Sequence, residues 1–400
     1  MLLRDHFPTC LVLLTRRDSV VALSMAFLTP TTTTAEQNLP ARPPFIRWGI
    51  IGLGDVTRQK SGPPFWKCEG SELVAVMRRT PGKAQEFAKQ VPGGRCVGYE
   101  NLEAFLQHPG LDAVYVATRP GTHLEICKAV AAAGKKVYVE KPVGRCAVET
   151  ASILKAVGAD KLYTAYISRA YPRTEAVRQL LKEGAIGDRI TSVSYVLHGK
   201  GGARDMDGPM PWRLDPAQSG GGLIMDVGCH VLDRIDYLCG PIKFLRAEAK
   251  RMEPGTGVED YVRFEGVLQQ ANWTPLLPSR NAYVSCEWDF ASVQNLDELI
   301  IRGSSGSLRM IAMSAVAPVY VLDKADKVNR VVDNFEVPEH TAQAMIQAVT
   351  DDLRGTRRSA FLSKGENALR TSMLLDRALE GYYGNRDDRF WEVFDSQARR

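Results

Sequence analysis

The sequence predicts an α/β chain: a parallel sheet wound with helices in its first part, then an α+β part built on an open, largely antiparallel sheet. Three observations predict it. Ile46–Ile51 is a near-continuous apolar, β-prone run that breaks at Gly52-Leu53-Gly54, as a buried parallel strand does before a turn. From there to about residue 165, apolar runs alternate with helical stretches, the grammar of βαβ units. Beyond that point the period changes: Ala282, Val284, Cys286, Trp288 and Phe290 alternate with polar neighbours, which marks a half-buried antiparallel strand.

Taken in order, the first strand and its glycine turn lead into a helix expected to run through Phe65-Trp66. Leu73–Met77 is the next strand, and Pro81–Gln90 a helix with proline near its start. Leu102–Leu106 is a short helix and Leu111–Ala117 a buried strand. His123–Ala133 is a helix closed by Gly134. Strand Lys136–Val139, helix Ala147–Val157 and strand Leu162–Ala165 complete the first domain, residues 45–165. The second domain, residues 166–400, starts with helix Pro172–Gly184. It continues with strands at 190–197, 244–250, 261–268, 282–290, 298–302, 308–312 and 319–322. Gly303-Ser304-Ser305-Gly306 reads as a hairpin turn. Helices at 341–353 and 366–379 are expected to cover part of one sheet face, with a second subunit covering more.

Composition excludes several classes. With 400 residues, 44% hydrophobic and 24% charged, the chain has ample material for a core. A net charge of +5 with no dense basic run does not call for nucleic acid, and a patch drawing an anionic cofactor accounts for it. Eight scattered cysteines without a C-x-x-C pair read as free thiols of a reducing compartment, so a cytoplasmic location is expected. Residues 1–44 read as a disordered extension outside the fold. An organellar presequence is the alternative, and Asp5 and Asp18 weigh against it. Neither apolar run in that segment is long enough to span a bilayer.

The chemistry-bearing residues fall at strand ends, where open parallel sheets bind ligands. Gly52 and Gly54 allow an anion close to the backbone, and Asp55 and Val56 open a helix whose N–H groups face it. A plain tight turn is the alternative. Arg78 and Arg79 end the second strand, 24 positions past Gly54. An acidic residue there would bind a ribose 2′-hydroxyl, whereas arginine suits a 2′-phosphate; two solvated surface arginines are the alternative. Thr118 with His123, and Glu140 with Lys141, follow two more strands. Lys141 can bind a substrate oxygen and steady negative charge there, or be a surface lysine. Asp226 and His230, four apart after Gly220-Gly221-Gly222, share a helix face and fit a proton relay. A helix cap, a core histidine or a metal pair are the alternatives, and no third metal ligand stands at recognisable spacing.

The segments GIIGLGDVT, VATRPGTH, VEKP, GGGLIMDVGCHVLD and GENALRTSMLLDRALEGYYG, in that order, resemble the Gfo/Idh/MocA oxidoreductases from about Ile46 to Trp391. The resemblance implies an N-terminal Rossmann domain and a C-terminal domain whose open sheet often serves homo-oligomerisation. It implies an NADP(H)-dependent oxidoreductase, with NAD(H) as the alternative, acting on a secondary alcohol or ketone of a sugar, polyol or cyclic diol. By position, Lys141, Asp226 and His230 are the expected catalytic group. Gly52, Gly54, Asp55, Val56, Arg78, Arg79, Thr118, His123, Glu140 and Lys141 are the expected cofactor contacts. Trp212 and Arg213, with Lys141, Asp226 and His230, are expected to line the substrate pocket; no metal or membrane partner is implied. Thr57 departs from the pattern, standing where a third glycine or alanine is usual. A dinucleotide-binding regulator of the same fold is the competing class.

Overall fold

A computed structural model describes residues 45–199, 211–254 and 257–386. The expectations for residues 1–44 lie outside these.

Fourteen strands and ten α-helices follow one another among the described residues. The first part runs β1 (Ile46–Ile51), α1 (Pro64–Lys67), β2 (Ser71–Met77), α2 (Lys83–Ala88), β3 (Val97–Tyr99), α3 (Leu102–Leu106), β4 (Ala113–Val116), α4 (His123–Ala132), β5 (Lys136–Val139), α5 (Ala147–Val157) and β6 (Leu162–Thr164). Its six strands form one parallel sheet in the order β3-β2-β1-β4-β5-β6. The order reverses between β1 and β4, so the crevice beyond their carboxyl ends is the switch point at which such sheets bind ligands. The glycine turn follows β1 there, and the Thr118 loop follows β4.

The second part runs α6 (Pro172–Lys182), β7 (Ile190–His198), α7 (Pro216–Ser219), α8 (Cys229–Cys239), β8 (Ile242–Lys250), β9 (Tyr261–Leu268), β10 (Pro278–Asp289), β11 (Leu296–Gly303), β12 (Gly306–Met310), β13 (Val319–Asp323), β14 (Val328–Val332), α9 (Gln343–Arg354) and α10 (Asn367–Tyr383). Its eight-stranded sheet has the order β14-β13-β12-β11-β7-β10-β9-β8. Every pair is antiparallel except β7 with β10. The expected alternation holds in β10: Ala282, Val284, Cys286 and Trp288 are buried, while Tyr283 is 39% exposed.

Three expectations are corrected. The helix after the glycine turn is broken: a π-helical turn, Thr57–Ser61, stops at Gly62-Pro63, and α1 starts separately at Pro64. Two consecutive prolines lack the N–H groups that would carry the helix through. Strands β3 and β14 were not expected; both lie at sheet edges, β3 only three residues long and β14 largely exposed, so neither shows the hydrophobic pattern that signals a strand. The last two helices do not share one sheet. α10 lies along β8 of the second sheet, whereas α9 returns to the first. There Ala342, Met345, Ile346 and Val349 share a core with Ile46, Trp48, Phe65 and Tyr115, and Trp48 Nε1 donates to Thr350 Oγ1 at 3.3 Å.

Candidate active site

The glycine turn is built for close approach. Gly52 has φ +100°, and a Cβ there would lie 2.6 Å from the Ala117 carbonyl oxygen, so only glycine fits without strain. A Cβ on Gly54 would meet nothing within 4 Å, which leaves its face open for a ligand. Asp55 and Val56 lie exposed at the start of the following helical turn. Thr57 settles its own oddity: the side chain is fully buried and its hydroxyl donates to the Gly52 carbonyl at 2.8 Å. The residue that replaces a small one closes the turn from inside. Arg78 reaches back from the end of β2, its Nη1 donating to the Leu53 carbonyl at 2.5 Å. Its guanidinium therefore sits over the middle of the turn, and Arg79 beside it is exposed. An open glycine, a fresh helix start and an arginine over the turn form a cradle that fits a dinucleotide.

The loops after β4 and β5 are tied together by His123. Its Nδ1 lies 3.2 Å from the Pro142 carbonyl and 3.1 Å from that of Val143, and its Nε2 lies 3.0 Å from that of Thr118. The ring is 0% exposed, and burial holds its pKa below the ordinary value, against the carbonyls, which raise it. His123, expected among the cofactor contacts, is thus a staple between the two loops, with no ring surface left for a ligand. Thr118 remains at the mouth, half-buried, its hydroxyl accepting from Thr122 at 2.9 Å. Glu140 accepts from the Tyr115 hydroxyl at 2.5 Å and from the Lys141 backbone N–H at 3.3 Å. Its pKa is raised, chiefly by burial, with Lys141 pulling the other way. Tyr115 was not singled out in sequence, because it stands inside an apolar strand run.

Lys141 crosses from the β5 loop to the π-helical turn Ile224–Gly228 that precedes α8. Its Nζ donates to Asp226 Oδ1 at 2.5 Å and to the Asp226 carbonyl oxygen at 3.1 Å. Arg213 Nε donates to the other carboxylate oxygen at 2.8 Å. Burial alone would lower the Lys141 pKa, but the negative charge of Asp226, with that of Glu140 behind it, raises it overall, so the amine stays cationic. Burial works against the Asp226 charge, yet Lys141 first and Arg213 after it hold its pKa well below the usual carboxylate range. The same positive field acts on His230. Burial, then the Lys141 charge, push its pKa well below 6.5, so the imidazole is neutral at physiological pH. The ring stands edge-on to Tyr166, centroids 6.1 Å apart.

One expected link is absent. Among the described residues, His230 Nδ1 is buried without a hydrogen-bond partner, so Asp226 does not set its tautomer. The carboxylate is already taken by two cations, and it positions Lys141 instead. Two guanidiniums pack on Trp212, Arg213 4.5 Å and Arg119 5.8 Å from its ring centre. Arg119 also bonds Gln218, which binds the Thr118 loop to the segment carrying Trp212. Arg119 was missed in sequence, although it follows Thr118 directly. Lys141, Asp226, His230, Arg213 and Trp212 thus gather beside the carboxyl ends of the first sheet. A cationic amine, an ionised carboxylate and a neutral imidazole can together bind an oxygen and exchange its proton.

Residues 46–163 match an oxidoreductase family with an NAD-binding Rossmann fold, and residues 174–309 match the GFO/IDH/MocA C-terminal domain. Oxidoreductase P35 of Formosa agariphila is 31% identical over 76% of this chain and 89% of its own. Mouse trans-1,2-dihydrobenzene-1,2-diol dehydrogenase is 29% identical over 64% of this chain and 78% of its own. Among solved structures, levoglucosan dehydrogenase in complex with NADH and levoglucosan superposes with a TM-score of 0.70 at 21% identity, covering 84% of this chain and 96% of that one. KijD10, a 3-ketoreductase from Actinomadura kijaniata in complex with TDP-benzene and NADP, gives 0.63 at 20%, covering 84% and 98%. Sequence match in both halves and shared architecture agree: this chain belongs to the Gfo/Idh/MocA family of oxidoreductases.

Proposed function

We propose that the chain is an NADP(H)-dependent oxidoreductase acting on a secondary alcohol or ketone of a sugar, polyol or cyclic diol. The observation that carries this reading is the meeting of Lys141 with Asp226, 85 positions apart, beside the neutral imidazole of His230. Gly52, Gly54, Asp55, Val56, Arg78, Arg79, Thr118 and Glu140 would hold the cofactor, and the nicotinamide, when bound, supplies the hydride chemistry. Lys141 donates to the substrate oxygen and steadies its negative charge. His230 takes the hydroxyl proton in oxidation and returns it in reduction. Asp226 keeps Lys141 charged and aimed, while Trp212 and Arg213 line the substrate side. The preference for NADP(H) rests on Arg78 over the turn and Arg79 beside it. The relatives support the substrate class: one is a dehydrogenase of a cyclic diol, and one structural neighbour holds levoglucosan. A regulator that binds cofactor without turnover is the competing class, and the complete set of Lys141, Asp226 and His230 weighs against it.

Domain bounds of 45–165 and 166–400 belong to this proposal, with α9 of the second domain packed on the first. So does a homo-oligomer through the outer face of the second sheet, where Tyr283 and Tyr320 are 39% and 38% exposed. The test is a panel of polyols, cyclic diols and their ketones, run separately with NADP(H) and NAD(H). Turnover with NADP(H) favoured is expected. Cofactor binding with no turnover across the panel would leave the regulator reading.

A further inference from the structure

Two arginines that this chemistry does not use are buried, Arg234 on α8 with His230 and Arg173 on α6. Arg234 stands four residues beyond His230, one turn along the same face of α8, about 5–6 Å away. Arg234 is 5% exposed and Arg173, from α6, is 3% exposed. Neither pairs with a carboxylate among the described residues. Arg173 donates to the Ala317 carbonyl at 2.6 Å and the Ser314 carbonyl at 2.9 Å, and Arg234 donates to the Ala312 carbonyl. Arg173 Nη2 and Arg234 Nε are left buried without partners.

Another donor nearby is also unspent. The Trp288 indole N–H is buried and unpartnered, and the buried Tyr195 hydroxyl beside it faces Asp297. Their rings lie 5.5 Å apart, and a Cβ on Gly228, at the start of α8, would come within 3.6 Å of Trp288. Burial and then the Arg234 charge lower the Arg173 pKa to about 10, which also marks the two guanidiniums as neighbours. Two carboxylates reach Arg234 electrostatically besides the tyrosines. Asp233 is taken by both arms of Arg169. Asp297 reaches Arg173 as well and accepts the Ala312 and Met313 N–H groups. Two cations against one uncommitted charge leave an excess of one, in a region of surplus N–H donors. A buried positive charge in excess of its counter-charge is costly, and perturbed charges gather at functional sites.

We infer that Arg173 and Arg234 receive a carboxylate carried by the substrate, one helical turn from His230, and that the substrates are therefore hydroxy acids of the sugar or polyol class. This rests on the dehydrogenase reading and narrows it. The carboxylate is a handle and takes no part in bond making. A single excess charge matches a monoanion, and planar guanidiniums match carboxylate geometry.

The test uses the full chain with NADP⁺ and with NAD⁺, and two probe pairs: D-gluconate against D-glucitol, and D-glucuronate against D-glucose. The acid member is expected to have kcat/KM at least about tenfold above its neutral partner. In Arg234→Met and Arg173→Met that ratio should fall toward one through a raised KM for the acid, and Arg234→Lys should regain part of it. A ratio near one in the unaltered chain, or one unmoved in both variants, would overturn the subsite and leave the dehydrogenase reading standing. If no probe turns over, calorimetric titration of D-gluconate into the cofactor-loaded protein decides. Saturable binding lost in Arg173→Met supports the subsite, and no binding overturns it. If Arg234→Met does not fold by circular dichroism, Arg173→Met carries the test.

Discussion

The Lys141 ammonium lies 2.5 Å from Asp226 Oδ1 and 3.1 Å from the carbonyl oxygen of the same residue. One residue therefore holds the amine by charge and by backbone together, and Lys141 keeps its place and its proton through Asp226. Replacing Lys141 with alanine should lower kcat by about 10²–10⁴-fold, as should His230→Ala. The Kd for NADPH, read by fluorescence titration, should move by less than about threefold. Near-normal turnover in both variants would refute the assignment.

Removing the carboxylate tests the same relationship through pH. In Asp226→Asn the burial that opposes the Lys141 charge loses its main counter-charge and keeps only the weaker one of Glu140, so the amine pKa falls. The alkaline limb of the kcat/KM profile should shift to lower pH. An unmoved limb would mean that another group controls it.

His230 gives a second pH signature. Its pKa is held well below 6.5 by burial and by Lys141. Alcohol oxidation needs the neutral ring, so its acid limb should lie below pH 6.5, and ketone reduction should rise toward that limb. The stability sign follows from the same depression. Between the folded value and about 6.5 the unfolded chain binds the proton first, so this contribution is whole above about 6.5 and is lost as pH falls. His123, also depressed by burial, adds in the same direction. Melting temperature between pH 8 and 5 should fall less steeply in His230→Asn.

The charge over the glycine turn can be reversed. Arg78→Asp with Arg79→Ser should weaken NADPH at least about tenfold more than NADH, because only the former carries the 2′-phosphate. Equal losses in titrations of the two cofactors would count against the NADP preference.

Thr57 offers a stability test. Thr57→Val removes the hydroxyl that donates to the Gly52 carbonyl and leaves that oxygen short of a partner. A loss of about 1–3 kcal/mol is expected in denaturant melts, with weaker binding of either cofactor as the turn loosens.

Much of the first sheet could be read in sequence because its elements are locally compulsory. Gly52 must be glycine at φ +100°, and Lys136–Val139 and Ala147–Val157 appear with the bounds expected. The glycine turn and the D-x-x-x-H spacing were legible for the same reason: backbone geometry and helix periodicity act over a few residues. What sequence withheld was the choice of partner. Asp226 stands at helical spacing from His230, but its oxygens go to Lys141 and Arg213, and no local pattern announces which cation arrives first. His123 carries the same residue type as a cofactor ligand, yet three carbonyls from two loops enclose it. The parallel pairing of β7 with β10, strands separated by two others in the chain, is likewise a property of topology.

The return of α9 to the first sheet has a consequence for how the molecule is made. Trp48, Phe65 and Tyr115 emerge from the ribosome well before the helix that shares their core, which begins at Gln343. At about 5–20 residues per second, the nascent chain spends roughly ten seconds or more with that aromatic surface unsealed. Newly made protein is thus open to chaperone capture through these aromatic side chains until α9 has been made.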